Sequence, residues 1–242
     1  MYKRSWNFVS FAICCALQLY LAVGALAADN TEQDKLGLPY SFVVPQPSKN
    51  ATEAALKGKR RFQRLAVNDK IARELGFDSI SDAADSNTQL GIPLPLILVH
   101  LDIIAKYNPT IPPDTYLMFA KRFIFPVKAV GKTKSSVTVL ELTTPGQVVQ
   151  EWKPVEWGAT GLIRLLDKAR DTVAPPSTSF ALWIPALSRY FLGFFKDGKL
   201  LVVPLYEELK YGFVAGNPLP EAEVFKKLSE EAIALQVPKN RG

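Results

Sequence analysis

The sequence predicts an α+β domain in which antiparallel β-hairpins form a mixed or antiparallel sheet packed by about three amphipathic helices. Three observations point there. Two pairs of strand-like segments are joined by short turns containing glycine, three stretches carry apolar residues at helical spacing, and the eighteen prolines with abundant Phe, Leu and Val favour a sheet-rich fold without a long Ser/Gly linker.

The chain opens with Lys3 and Arg4 ahead of an apolar run from Asn7 to Ala27 that closes on Ala25-Leu26-Ala27, a pattern a signal peptidase accepts. Residues 1–27 are therefore expected to be a cleavable signal peptide and 28–242 a single α+β domain. The run is close to the roughly 20 residues that span a bilayer, so an uncleaved signal anchor is the rival expectation. Cys14 and Cys15, the two cysteines of the chain, would depart with the signal. The remaining 215 of 242 residues then hold no thiol, which removes disulfides, thiolate nucleophiles and cysteine-based metal sites. An exported domain of that size without disulfides suits the bacterial periplasm, and the expected localisation is periplasmic or secreted. Asn50-Ala51-Thr52 is a formal glycosylation sequon that reads better as a polar lead into a helix. Without Lys3 and Arg4, 27 of the 29 basic residues stand against 23 acids. A net charge of +4 by that count is too mild to imply nucleic acid.

Residues 36–46 read as a short strand bounded by prolines. Leu36-Gly37-Leu38-Pro39 is echoed by Leu90-Gly91-Ile92-Pro93, a weak hint of a duplicated unit. From Thr52 to Gly76 the pattern becomes helical, with Ala55, Phe62, Leu65, Ala66, Ala72 and Leu75 on one side. At about 100° per residue, Lys57, Arg60, Arg61 and Arg64 gather on the opposite side as a basic stripe, a candidate anion- or partner-binding face. Residues 78–89 are polar and acidic and read as a loop.

Residues 96–101 lean to a strand, with Asp102 positioned to cap a helical turn over Ile103–Tyr107. Residues 122–130 and 135–142 form a hairpin about Gly131–Lys134. Residues 189–196 and 199–206 form a second about Asp197-Gly198, a pair that tolerates the positive φ of a tight turn. In its first strand Phe191 and Phe195 point to one face and Tyr190 and Phe194 to the other, so both faces should be covered. Pro204 cannot donate to a ladder and belongs at an edge or bulge. Two more helices follow. In residues 158–174, Leu162, Leu165, Leu166, Ala169 and Val173 form the apolar stripe, while Arg164, Asp167, Lys168 and Asp171 face solvent. In residues 220–236, Phe225, Leu228, Ala232 and Leu235 form the stripe, with Glu221 and Glu223 at the positive end.

Chemistry has few carriers. His100 is the single histidine, so a site built from several His or Cys ligands is excluded and no metal or cofactor is expected. There is no P-loop, no G-x-G-x-x-G, no G-x-S-x-G and no S-x-x-K. His100 among Leu98, Val99 and Leu101 reads as a partly buried structural histidine. Glu151 and Glu156, each followed by a tryptophan (Trp152 and Trp157), are the remaining catalytic candidates beside His100. Paired carboxylates flanked by aromatic faces would suit a glycan, although five residues of extended chain would put the two acids on opposite faces. Trp152 and Trp157 are also candidates for an aromatic binding surface. The chain therefore reads as a non-catalytic envelope binding protein, an adaptor, accessory or chaperone-like factor. Its expected partner is a protein or an anionic envelope component, with peripheral membrane contact allowed. The alternative is a cofactor-free, carboxylate-dependent hydrolase of envelope glycans.

Overall fold

The computed structural model describes residues 42–143, 150–173 and 178–236, all within one unit spanning Tyr40–Gly242. The signal segment and the first copy of the Leu-Gly-x-Pro echo lie outside the described residues. The elements in chain order are α1 (Lys49–Leu65), α2 (Asp69–Glu74), β1 (Thr88–Leu90), β2 (Leu94–Leu98), α3 (Leu101–Ala105), β3 (Met118–Ala129), β4 (Lys132–Thr143), β5 (Gln150–Trp157), α4 (Thr160–Asp171), β6 (Ser179–Ile184), β7 (Arg189–Lys196), β8 (Lys199–Pro204), β9 (Leu219–Pro220) and α5 (Glu221–Gln236). With five helices and a nine-stranded, mostly antiparallel sheet among the described residues, the fold is α+β as the sequence predicts.

The strand order is β5-β4-β3-β2-β6-β7-β8-β9, with β1 also paired to β3. Both hairpins turn on two residues. Val130 and Gly131 have φ of 50° and 72°, and Asp197 and Gly198 have 51° and 72°. Positive φ at both central positions is the geometry that matches the right-handed twist of the flanking strands. The first turn is tighter than its sequence suggests, because β4 already begins at Lys132. The one parallel pair among these ladders, β2 with β6, joins the half built on the first hairpin to the half built on the second.

Helices cover both faces of the sheet. On one face α1 packs Ala51, Ala54, Ala55 and Phe62 against Phe123, Phe125, Val137 and Val139. On the same face Val224, Phe225, Leu228 and Ala232 of α5 pack with Ile104 of α3 against Ile97, Phe180, Leu182 and Phe191. Phe119, opposite Ile97, touches both clusters and makes that face continuous. On the other face α4 seats Ile163, Leu166 and Ala169 over Leu94, Leu96, Ile124, Ala181, Leu192 and Phe194. The alternation along β7 is as expected, with Phe191 and Phe195 on the α5 side and Tyr190 and Phe194 on the α4 side. Pro204 ends β8 beyond its short pairing with β9, so its missing N–H costs no ladder bond on that outer side.

Several expectations are corrected. Residues 42–46 form no strand, since Pro45 and Pro47 deny the segment regular ladder donors. Phe42 still reaches the core, 6.0 Å from the Phe180 ring and 5.7 Å from that of Phe195. The helix expected over Thr52–Gly76 is two helices. Ser48 starts α1 by accepting from the Ala51 N–H, and Asn68 starts α2 by accepting from that of Ile71, so the backbone leaves the helix between Leu65 and Asp69. Leu65 and Leu75 are therefore only half-buried. In α4 the buried centre is Ile163 and not Leu162, and Asp167 is not solvated. It accepts from Thr133 Oγ1 at 2.5 Å and pairs with Arg170, which is 4 % exposed and donates to the Ile92 carbonyl at 2.8 Å. In α5, Val224 is buried where Leu235 was expected, and Leu235 is exposed.

A second polar cluster ties α5 to the sheet. Arg189 on β7 donates to both Glu208 carboxylate oxygens and, at 2.8 Å, to Glu231 Oε2, which also accepts from the Tyr211 hydroxyl. The Tyr211 hydrogen bond, against a smaller opposing effect of burial and with help from Arg189, holds the Glu231 carboxyl below its ordinary 4.5. A depressed carboxylate contributes stability above its unfolded pKa, and that contribution falls away as pH drops through the lower folded value. Urea denaturation from pH 7 to pH 3 is expected to show a loss beginning near pH 4.5 that is smaller in Glu231→Gln. Identical pH profiles would remove Glu231 from the acid response.

Candidate functional site

The two surface features that the sequence offers separately are neighbours in the fold. Lys57, Arg60, Arg61 and Arg64 are all exposed along α1, opposite its buried Ala and Phe residues. β5 forms the sheet edge beside that helix. Its register with β4 places Trp157 opposite Val137, Pro154 opposite Val139 and Trp152 opposite Glu141, so both tryptophans turn toward α1. Trp157 donates through Nε1 to the Gly58 carbonyl at 2.9 Å, and the Arg61 guanidinium lies over its ring, 4.6 Å from the centroid. Gly58 is needed at this approach, because a Cβ there would fall 2.5 Å from Val137 Cγ1. Trp152 is half-buried against the Phe123 ring at 5.5 Å. The tryptophans thus serve mainly to seat α1, and Trp157 also carries part of the basic face.

Within the stripe the four cations differ. Arg60 lies 4.0 Å from Asp85, whereas Lys57, Arg61 and Arg64 make no ion pair with any described residue. Exposed apolar side chains flank them: Leu56 on α1 and Val67 just beyond it, the latter 71 % exposed. Sequence reasoning missed Lys59, which belongs to the same basic run but points inward. Its ammonium donates to the carbonyls of Asp85 and Thr88 at 2.9 Å each and to Thr88 Oγ1 at 3.2 Å, with Asp85 Oδ1 2.6 Å away as its counter-charge. The helical spacing could have separated Lys59, since it falls between Ala55 and Phe62 on the buried face.

The catalytic candidates do not come together. A bulge in β5, where Thr138 and Val139 face Glu156 and Pro154, inserts Val155 and reverses the expected alternation. Glu151 and Glu156 therefore share the sheet face opposite α1, not opposite faces. Their β4 partners, Leu142 and Thr138, are four residues apart, which separates the two acids by about 13 Å along the strand. Glu151 is engaged by Lys153 at 3.0 Å. Glu156 lines a small cleft with Arg122, Thr138 and Tyr190 that includes neither Glu151 nor His100. Burial raises the Tyr190 hydroxyl pKa, and Glu156 adds to that.

His100 is not the partly buried residue expected from its apolar neighbours. It stands exposed at the N-cap of α3 with φ −72° and ψ 152°, and its side chain makes no capping hydrogen bond. Asp102 lies inside the first turn of α3 and not at the cap. β2 ends at Leu98, so His100 and Asp102 share no strand face. Among the described residues no group of three or more His, Cys, Asp or Glu side chains could hold a metal ion.

Comparison with family models, curated proteins and solved structures finds no match for this chain.

Proposed function

We propose that this chain is an exported, periplasmic binding protein, an adaptor, accessory or chaperone-like factor of the cell envelope, that works without catalysis. Its binding face is the outer side of α1 with the adjoining edge of β5, and its partner is the acidic lipid surface of the envelope. One observation carries this reading: Lys57, Arg61 and Arg64 are exposed without ion-pair partners among the described residues and are bordered by the exposed Leu56 and Val67. Basic side chains near an anionic bilayer contribute about 1 kcal/mol each, and neighbouring apolar groups suit the headgroup boundary. The apolar side of α1 is already committed to the sheet, so contact would be peripheral.

The edge of β5 is poorly suited to adding a strand from another protein. Pro154, the Val155 bulge and the charged Glu151 and Lys153 are devices that blunt an open edge. The hydrolase alternative needs two carboxyl groups converging on one cleft, whereas Glu156 lines a cleft that lacks Glu151, and Glu151 is paired with Lys153.

Export is tested by mass spectrometry of protein from the envelope fraction, which should find an N-terminus at Ala28. Recovery of intact Met1 protein in the inner membrane would replace secretion by anchoring. The binding face is tested by sedimentation with vesicles of phosphatidylglycerol in phosphatidylcholine. Salt-sensitive retention is expected, and absence of retention at low ionic strength would refute the lipid assignment.

A further inference from the structure

Arg61 differs from the other cations of the stripe in being held in place. Its guanidinium lies over the Trp157 ring, 4.6 Å from the centroid, and that ring is pinned by its Nε1 bond to the Gly58 carbonyl at 2.9 Å. Stacking engages the face of a guanidinium and leaves its in-plane N–H groups free, and Arg61 donates to no described residue. At about 100° per residue, Lys57 and Arg64 fall within roughly 60° of Arg61 around α1. They stand about one turn before and one turn after it, near enough for all three long side chains to reach one point. The acids beside them are engaged or turned away. Asp85 is taken by Lys59 and Arg60, Glu53 lies 4.0 Å from Lys49, and Glu151 and Glu156 are on the other face of the sheet.

We propose that Arg61 determines the specificity of the α1 face by gripping the terminal phosphate of a phosphomonoester lipid headgroup, an inference that rests on the lipid reading above. A planar fork held against a ring matches two phosphate oxygens at once, whereas a lysine offers a point charge. A terminal phosphate carries about 1.5 to 2 negative charges and three acceptor oxygens. Two of those oxygens go to Arg61, and the third, with the remaining charge, goes to Lys57 and Arg64. A phosphodiester headgroup has one charge and two free oxygens, and a carboxylate has the same in a planar group, so each leaves part of the cluster unused. The order of preference is phosphomonoester, phosphodiester, carboxylate. Trp157 contributes by fixing the fork before the lipid arrives, which lowers the ordering cost of binding.

The test is sedimentation of the full chain with phosphatidylcholine vesicles carrying phosphatidic acid, phosphatidylglycerol or oleate, matched in surface charge. The parent should bind the phosphatidic acid vesicles at least about tenfold more tightly than the oleate vesicles, with phosphatidylglycerol between them. Arg61→Lys keeps the charge and should lose that preference, while Arg64→Lys, at a cation that no described ring supports, should keep it. Both residues are exposed, so both variants should melt within a few degrees of the parent. Equal binding of the three lipids by the parent, or an unchanged preference in Arg61→Lys, would overturn the phosphate assignment and leave the lipid reading standing. No retention by any acidic vesicle would overturn both. Calorimetry with glycerol 3-phosphate checks the source: binding as tight as that of the vesicles would put a soluble phosphomonoester at Arg61 and overturn the lipid headgroup.

Discussion

Replacing Lys59 with methionine is expected to destabilise the fold by about 3 kcal/mol and to lower the melting temperature by about 10 °C. Methionine keeps most of the buried stem, so the loss isolates the ammonium. The Lys59 side chain is 9 % exposed, and its protons go to Asp85 O, Thr88 O and Thr88 Oγ1, leaving Asp85 Oδ1 to be paired by charge alone. Removing the ammonium takes a charged donor from both carbonyls, leaving Asp85 O only the Thr88 hydroxyl at 3.3 Å, and uncovers the carboxylate oxygen in one step. The Asp85 side chain is 40 % exposed and can recover some hydration, which holds the cost toward the lower end for a broken buried pair. Asp85→Asn leaves the lysine bonds to both carbonyls in place and should cost less. A melting shift below about 2 °C for Lys59→Met would show that the cluster does not hold α1 to the turn before β1.

Elements defined by local patterning were the most legible in the sequence. The Asp197-Gly198 turn, the two-sided alternation along β7, the buried face of α1 and the three longer helices all follow from residues close in the chain. Failures arose where a side chain or a distant partner overrides local pattern. Asn68 caps a new helix within an otherwise unbroken apolar period. Val130 adopts a left-handed conformation that β-branched residues avoid, so nothing in its chemistry announces the turn it makes. The β5 bulge moves Glu156 to the other face, and its cause lies in pairing with β4. Asp167 looks like a solvated helix charge until Thr133, far off in the chain, and Arg170, itself held by the Ile92 carbonyl, supply its partners. At the candidate site the basic stripe was visible from helical spacing, while its seat on Trp157 was not, because Arg61 and Trp157 meet only through tertiary packing.

The most direct test of the α1 face compares the parent with Lys57→Glu/Arg61→Glu/Arg64→Glu on phosphatidylglycerol-containing vesicles at low and high salt. All three residues are exposed on the side of α1 away from its core contacts. Only the Arg61 stacking on Trp157, worth about 0.5–1 kcal/mol, is lost from the fold. The variant should therefore keep its circular dichroism spectrum and melt within a few degrees of the parent. Losing three cations at about 1 kcal/mol each weakens vesicle binding by roughly 100-fold, and the added carboxylates weaken it further. Binding of the parent should itself fall as the Debye length contracts from about 30 Å at 0.01 M salt to about 8 Å at 0.15 M. The account predicts salt-sensitive binding of the parent at low ionic strength and none by the folded variant; equal binding by both, or none by the parent, would contradict it.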